Sequence, residues 1–248
     1  MKRGWILAAM VMLFVGGTVA DLPAFSFVPI SQDFSPSGAG ATRNFKLSND
    51  GADQIAVKIG IYTRVADEAG VEKNESAESQ FTVFPSRVVL KPHSVQVVKI
   101  RWIGTPTPAA ELCYRVFVEQ LPVQFQAPDE KAGAKIIMLF RYLGTIYIVP
   151  PHVAPAISMA SSPVSDTTGE NRLKLTFSNS GTAHAILNKL ALTLSTDGGG
   201  TVSIPPEKLD GINGENILPG GKRSYLLNLE KDYPADKATI AFTFEPLR

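Results

Sequence analysis

Cysteine is almost missing from this chain: Cys113 is the one thiol among 248 residues. No intramolecular disulfide can form, so stability has to come from packed apolar cores, and Cys113 is expected to be a small buried strand residue. Histidine is equally scarce. His93, His152 and His184 lie far apart, none at a ligand spacing from another metal-binding residue, so no metal site is expected and each is assigned a surface or capping place. An excess of charge is also absent, with 24 Lys and Arg against 23 Asp and Glu. That balance argues against a nucleic-acid surface, which needs cations gathered on one face. No nucleophile elbow, phosphate loop or dinucleotide fingerprint occurs, and "DGGGT" reads as a turn. Carboxylate pairs such as Asp67-Glu68 and Asp129-Glu130 stand in polar loops as solvated charge. Neither catalysis nor a cofactor is expected.

Long hydrophobic runs are missing beyond the first twenty residues. Those twenty, "MKRGWILAAMVMLFVGGTVA", begin with Lys2 and Arg3, pass through a short apolar run and end in small residues at Ala20. This is the pattern of a secretory signal peptide. The remainder, from about Asp21, is expected to be soluble outside the cytoplasm, since no later segment offers roughly eighteen unbroken apolar residues.

What is present is strand signal. "FKLSND" closes on a turn cluster at Asn49-Asp50-Gly51, and "QIAVKIGIYTRV" alternates Ile55, Val57, Ile59 and Ile61 before a polar loop over 66–80. "RVVLKPHSVQVVKIRWIG" gives two runs about a turn at Pro92, and "CYRVFVEQLPV" alternates Tyr114, Val116 and Val118. Prolines at 150 and 151 and the polar "PVSDTTGEN" place a boundary close to residue 152. Further strand-like runs follow in "RLKLTFSNSG", "HAILNKLALTLS", "GTVSIPP", "KRSYLLNLE" and "KATIAFTFEP". With no amphipathic helix, the expected fold class is all-β: two immunoglobulin-like sandwiches in series, 21–151 and 152–248, with a cleft between them. "NFKLSND" and "KLTFSNSG" end alike, a faint sign of two related halves.

One stretch does not suit a half-buried strand. In "KIIMLFRYLGTIYIVPP", residues 135–151, Ile136, Met138 and Phe140 occupy alternate positions while Ile137 and Leu139 fill the gaps. It reads as a strand buried on both faces.

Several segments together carry a family resemblance. "FTVFPSRVVLKPHSVQVVKIRW", "ELCYRVFVEQLPV" and "LFRYLGTIYIVPP" resemble, in order and spacing, successive strands of periplasmic pilus chaperones of the chaperone-usher pathway, and the "RY" of the last is most similar to the archaic, or sigma-type, branch. The resemblance covers nearly all of the first domain. It implies a non-enzymatic periplasmic chaperone that folds and caps pilus subunits by donor-strand complementation and passes them to an outer-membrane usher. A subunit lacking its last strand exposes an apolar groove and unpaired backbone groups, which a lent strand satisfies. In this picture one face of the closing strand packs at home and the other is lent, and alignment on Pro150 puts Ile136, Met138 and Phe140 at the lent positions. Periodicity alone leaves open that these three fill the domain's own core. The exposed strand could also let free copies self-associate; neither nucleic acid nor a small-molecule substrate is implied.

The resemblance also implies a cleft arginine and lysine that hold the subunit's C-terminal carboxylate, but Ser31 and Thr145 stand at those places and carry no charge. Arg141 and Arg101 are the substitute anchors expected, because a guanidinium grips a carboxylate with two hydrogen bonds. Each could equally be a sheet-surface arginine beside a local acid. Glu111 aligns with an acid that fixes the interdomain angle, although its usual basic partner is replaced by Val149. The short polar loop "QAPDEKAGA" hints at a short-loop partner class. The alternative reading is an exported two-domain adhesin or pilus subunit, which would call for a disulfide or an N-terminal donor extension. A carbohydrate-binding module ranks last, since Trp102 is the only tryptophan after the leader.

Overall fold

The structure is a computed structural model that describes residues 25–123, 125, 138–164, 171–196, 200–229, 235–236 and 238–247. The leader, Ile136 and the loop over 126–134 lie outside the described residues.

Among the described residues, eleven strands belong to the N-terminal part: β1 (Phe25–Val28), β2 (Ser31–Phe34), β3 (Thr42–Asn49), β4 (Ile55–Thr63), β5 (Val65–Ala66), β6 (Glu72–Lys73), β7 (Phe81–Phe84), β8 (Arg87–Leu90), β9 (Ser94–Trp102), β10 (Leu112–Leu121) and β11 (Arg141–Ile148). Two sheets, ordered β1-β3-β9-β7 and β2-β11-β10-β4-β8, close over one core. Pairing is antiparallel except where β2 lies parallel to β11, Ser31 beside Thr145. Alternation places Val57, Ile59, Ile61, Val116 and Val118 inside, against Phe27, Phe45, Val98 and Ile100 of the facing sheet. Phe81, Trp102 and Tyr114 meet edge-on or tilted at one end of this core.

Among the described residues, seven strands form the C-terminal part: β12 (Ile157–Pro163), β13 (Arg172–Asn179), β14 (Ala185–Thr196), β15 (Thr201–Ile204), β16 (Asn216–Ile217), β17 (Lys222–Asn228) and β18 (Ala238–Leu247). One sheet runs β12-β13-β17; in the other, β14 pairs with β15, β16 and β18. Their shared core of Leu173, Leu175, Phe177, Leu187, Leu192 and Leu194 is separate from the first. The fold class is the expected one: all-β, two sandwiches, each with its own core. The polar loop expected over 66–80 differs. It contains the β5-β6 hairpin, and Tyr62 bridges Ser76 beyond it.

Candidate subunit-binding strand and interdomain cleft

The closing strand is shorter than its hydrophobic run. Ladder pairing covers Arg141–Ile148, and the Gln120 N–H still reaches the Phe140 carbonyl at 3.0 Å, but residues 138–140 are not strand. Even positions face home: Ile146 and Ile148 are fully buried in the first core, with Tyr142 and Phe140 packed against it. Tyr142 meets Phe25 edge-on at 4.9 Å, and its hydroxyl donates to the Phe25 carbonyl. Gly144 sits on the same face where space is tight, since a Cβ there would stand 3.0 Å from Phe27 and 3.2 Å from the Ile30 carbonyl.

Ahead of the strand, the surroundings of the expected lent residues Met138 and Phe140 differ. Phe140 is half-buried against its own core, whereas Met138 is 50% exposed, as are Leu139 at 48%, Val123 at 49% and Phe125 at 42%. The apolar face runs out of its own domain at Met138. Burial on both faces does occur, but between Gly144 and Ile148, where Arg115 covers Thr145 and the second domain covers Tyr147. Tyr147 stacks on His184 with ring centres 4.0 Å apart and planes 7° apart.

Glu111 is at the interdomain contact. Its carboxylate meets His184 Nδ1 at 2.6 Å and the His184 backbone N–H at 3.4 Å, while its own N–H donates to the Thr182 carbonyl at 2.9 Å. His184, expected at the surface, is instead buried, because Glu111 and Tyr147 enclose it. The Tyr147 hydroxyl accepts from Asn216 of the second domain at 2.7 Å and from Arg64 at 3.2 Å. Cys113 donates its thiol to Glu111 at 3.5 Å; burial, with the Glu111 charge adding, pushes that thiol far above its ordinary range.

The expected anchors do not come together. Arg101 is exposed on β9, paired in register with Thr42 and Thr82 in the sheet that does not contain β11. Arg141 is bound to Glu119, Nε at 2.7 Å, and lies 4.9 Å above the Phe117 ring. It is a sheet-surface arginine with a local acid, and the four residue steps from it to Thr145 span roughly 13 Å. The cation beside Thr145 is one that the sequence reading passed over. Arg115 stands directly opposite Thr145 in the β10-β11 register and donates to its hydroxyl at 2.6 Å, with Ser31 next in the same row. Arg115 also grips Glu72 with two hydrogen bonds, at 2.8 and 2.5 Å, and Arg64 reaches the same carboxylate at 2.9 Å. Burial pushes the Glu72 carboxyl up, but the two arginines outweigh it and hold it below the usual carboxylate range. Two cations thus share one acid. The alternation of "CYRVFVEQ" placed Arg115 on the outward face; its nearness to Arg64 and Glu72 depends on the hairpin, which carries no strong strand signal.

Residues 37–154 match the family of pili and flagellar-assembly chaperones, PapD N-terminal domain. Over these residues the first domain is similar to the pilus-assembly chaperones. No curated protein sequence matches the chain. Solved structures extend the likeness over both domains. The class 5 fimbriae chaperone CfaA is 16% identical, with a TM-score of 0.54, over 90% of this chain and 100% of that one. CsuC, in complex with the CsuE tip subunit of the archaic Csu pili of Acinetobacter baumannii, is 14% identical, with a TM-score of 0.59, over 88% and 97%. SafB, bound to the SafA pilin of Salmonella enterica, is 15% identical, with a TM-score of 0.53, over 90% and 97%. At these identities the likeness is one of fold, and it gives this chaperone domain the same second sandwich.

Proposed function

We propose that the protein is a periplasmic chaperone of the archaic chaperone-usher branch, exported by its first twenty residues, that caps pilus subunits by lending them the segment before β11 and delivers them to an outer-membrane usher. The family match favours this reading over a two-domain adhesin or pilus subunit. The observation that carries the mechanism is the β11 face: anchored at home by Ile146 and Ile148, it emerges into solvent at Met138 and Leu139, and Val123 and Phe125 beyond β10 are exposed as well. Backbone groups of this lead-in can pair with a subunit's open edge, while Ile136, Met138 and Phe140, two residues apart, enter its groove. Phe140 sits at the rim, shared between the home core and the partner. The Arg64–Arg115 pair, beside Thr145 and Ser31, takes the role of holding the subunit's C-terminal carboxylate. Glu111 fixes the second domain, residues 152–248, against the first, residues 21–151.

The test is co-purification of tagged protein from the periplasm with mass-spectrometric identification of bound subunits. Burying one methionine is worth about 1.5–3 kcal/mol, so Met138→Asp should reduce subunit retention about tenfold or more. Arg115→Ala should weaken retention, and Arg141→Ala should leave it near wild type. If wild-type protein recovers no immunoglobulin-like subunit while pilus subunits are being secreted, the chaperone reading fails.

A further inference from the structure

Glu72 occupies the cationic pair in the way that a bound carboxylate would. It takes two hydrogen bonds from Arg115 and one from Arg64, and all three side chains are largely but not wholly covered, with 17%, 13% and 19% exposure for Arg115, Arg64 and Glu72. The hairpin that delivers Glu72 is thin: two residues pair with two, Val65 with Lys73 and Ala66 with Glu72. Its tip leans on the second domain. The Glu68 carbonyl accepts from the Ser224 N–H at 2.8 Å, and its carboxylate meets Lys174 at 2.8 Å and the Ser224 hydroxyl. Gly70 at the tip has φ +89°, and a Cβ there would run into the Arg223 guanidinium at 2.2 Å, so the approach depends on glycine.

The same hairpin is weakly held elsewhere. Buried polar atoms without a hydrogen-bond partner include Asn74 Oδ1, just past β6, and Arg223 Nε, beside the tip. Such groups cost free energy where they stand, and they mark a contact that rearranges more readily than a fully paired one. A crevice of about 350 Å³, lined by Arg64, Val65 and Cys113 on one side and by Pro219 and Gly220 on the other, leaves room at the hairpin's base. A second line of contact runs from Arg64 through the Tyr147 hydroxyl to Asn216. The anion site is thus tied to the second domain at both ends.

We propose that Glu72 is an internal carboxylate that an incoming partner carboxylate must displace from Arg64 and Arg115, and that its displacement frees the β5-β6 hairpin from the second domain. This rests on the chaperone reading for the identity of the partner, a pilus subunit's C-terminus. The geometry makes subunit binding and interdomain attachment compete, and coupling of this kind is reciprocal: whatever unties the hairpin strengthens carboxylate binding by the same factor.

The test needs no subunit. Acetate is titrated into the purified protein at constant ionic strength, with acetamide as the neutral control. Its affinity is read from the arginine Nε–H resonances, and the hairpin from hydrogen exchange at residues 65–73 and 224. In the wild type, acetate should speed exchange in these segments while acetamide leaves it unchanged. Glu72→Gln should exchange fast without acetate and bind it about fivefold tighter or more. Glu68→Gln, which leaves the arginine pair intact, should also loosen the hairpin and raise acetate affinity; it serves as the test if Glu72→Gln does not fold. Arg115→Ala should abolish the acetate response. Acetate binding that leaves exchange unaltered, or a Glu72→Gln protein with wild-type affinity and protection, overturns the proposal. Either result leaves subunit co-purification unaffected, so the two readings fail separately.

Discussion

Two buried asparagines satisfy backbone groups where a strand ends. Asn49 and Asn179 end β3 and β13 and are each 2% exposed. The Asn49 amide donates to the Asp53, Leu90 and Lys91 carbonyls, and its Oδ1 accepts from the Gly51 N–H. Asn179 repeats the two local contacts at the same offsets, donating to the Ala183 carbonyl and accepting from the Gly181 N–H, and adds the Ile217 carbonyl and the Ala156 N–H. The shared "SN" ending of "NFKLSND" and "KLTFSNSG" is thus a shared device: a side chain that satisfies the backbone where a strand turns over the sandwich end. Each buried group left unpaired costs about 1–3 kcal/mol, so Asn179→Ala should lose about 3 kcal/mol or more from the second domain. A drop in its thermal midpoint, with the first domain's unchanged, is the measurement. Neighbouring His184 shows the opposite case, a residue whose isolated position in the sequence suggested the surface and whose burial comes from Glu111 and Tyr147.

At the scale of elements, alternation was a sound guide wherever one face of a strand meets a core and the other meets water. β4, β8, β9 and β10 fall where Ile55–Ile61, the Pro92 turn and Tyr114–Val118 placed them. It could not resolve the closing strand, because even and odd positions there are both apolar for different reasons: Ile146 fills the sandwich, Tyr147 meets the second domain, and Met138 meets neither. Gly144 gives the strand its close approach to β2. Gly144→Val would crowd Phe27, the Ile30 carbonyl and Val116, and overpacking of this kind costs about 1–3 kcal/mol. Chemical denaturation should show a lower midpoint with an unchanged slope, together with weaker subunit retention as β11 shifts. The β5-β6 hairpin escaped the sequence reading because two-residue strands bury too little to leave a periodic pattern.

For the molecule as a whole, the decisive region is the junction. Glu111, His184, Tyr147 and Asn216 form one hydrogen-bonded and stacked group across it, and the hairpin tip at Glu68 adds a second attachment. His184→Ala would leave the Glu111 carboxylate buried without its side-chain partner on the second domain, and a charged group so stranded costs more than the about 1–3 kcal/mol of a neutral one. The variant should lower the unfolding temperature and widen the distribution of interdomain distances measured by small-angle scattering, while the spectroscopic signature of both sandwiches persists. An unchanged scattering profile would show that the Tyr147–Asn216 and Glu111–Thr182 contacts and the hairpin tip hold the domains without the His184 side chain.

By itself the sequence determined the fold class, the two cores, most strand positions and the resemblance to pilus chaperones, because alternation and turn residues act over a few neighbours and are written locally. The resemblance named Glu111 as an interdomain residue, and its hydrogen bonds run to His184 and Thr182. The tertiary structure decided which arginine stands beside Thr145, that His184 is buried, and that the β11 face leaves its domain at Met138. Those facts depend on side chains tens of residues apart being brought into register, Arg115 against Thr145 and both beside Glu72, and no local pattern encodes which distant strand will lie opposite.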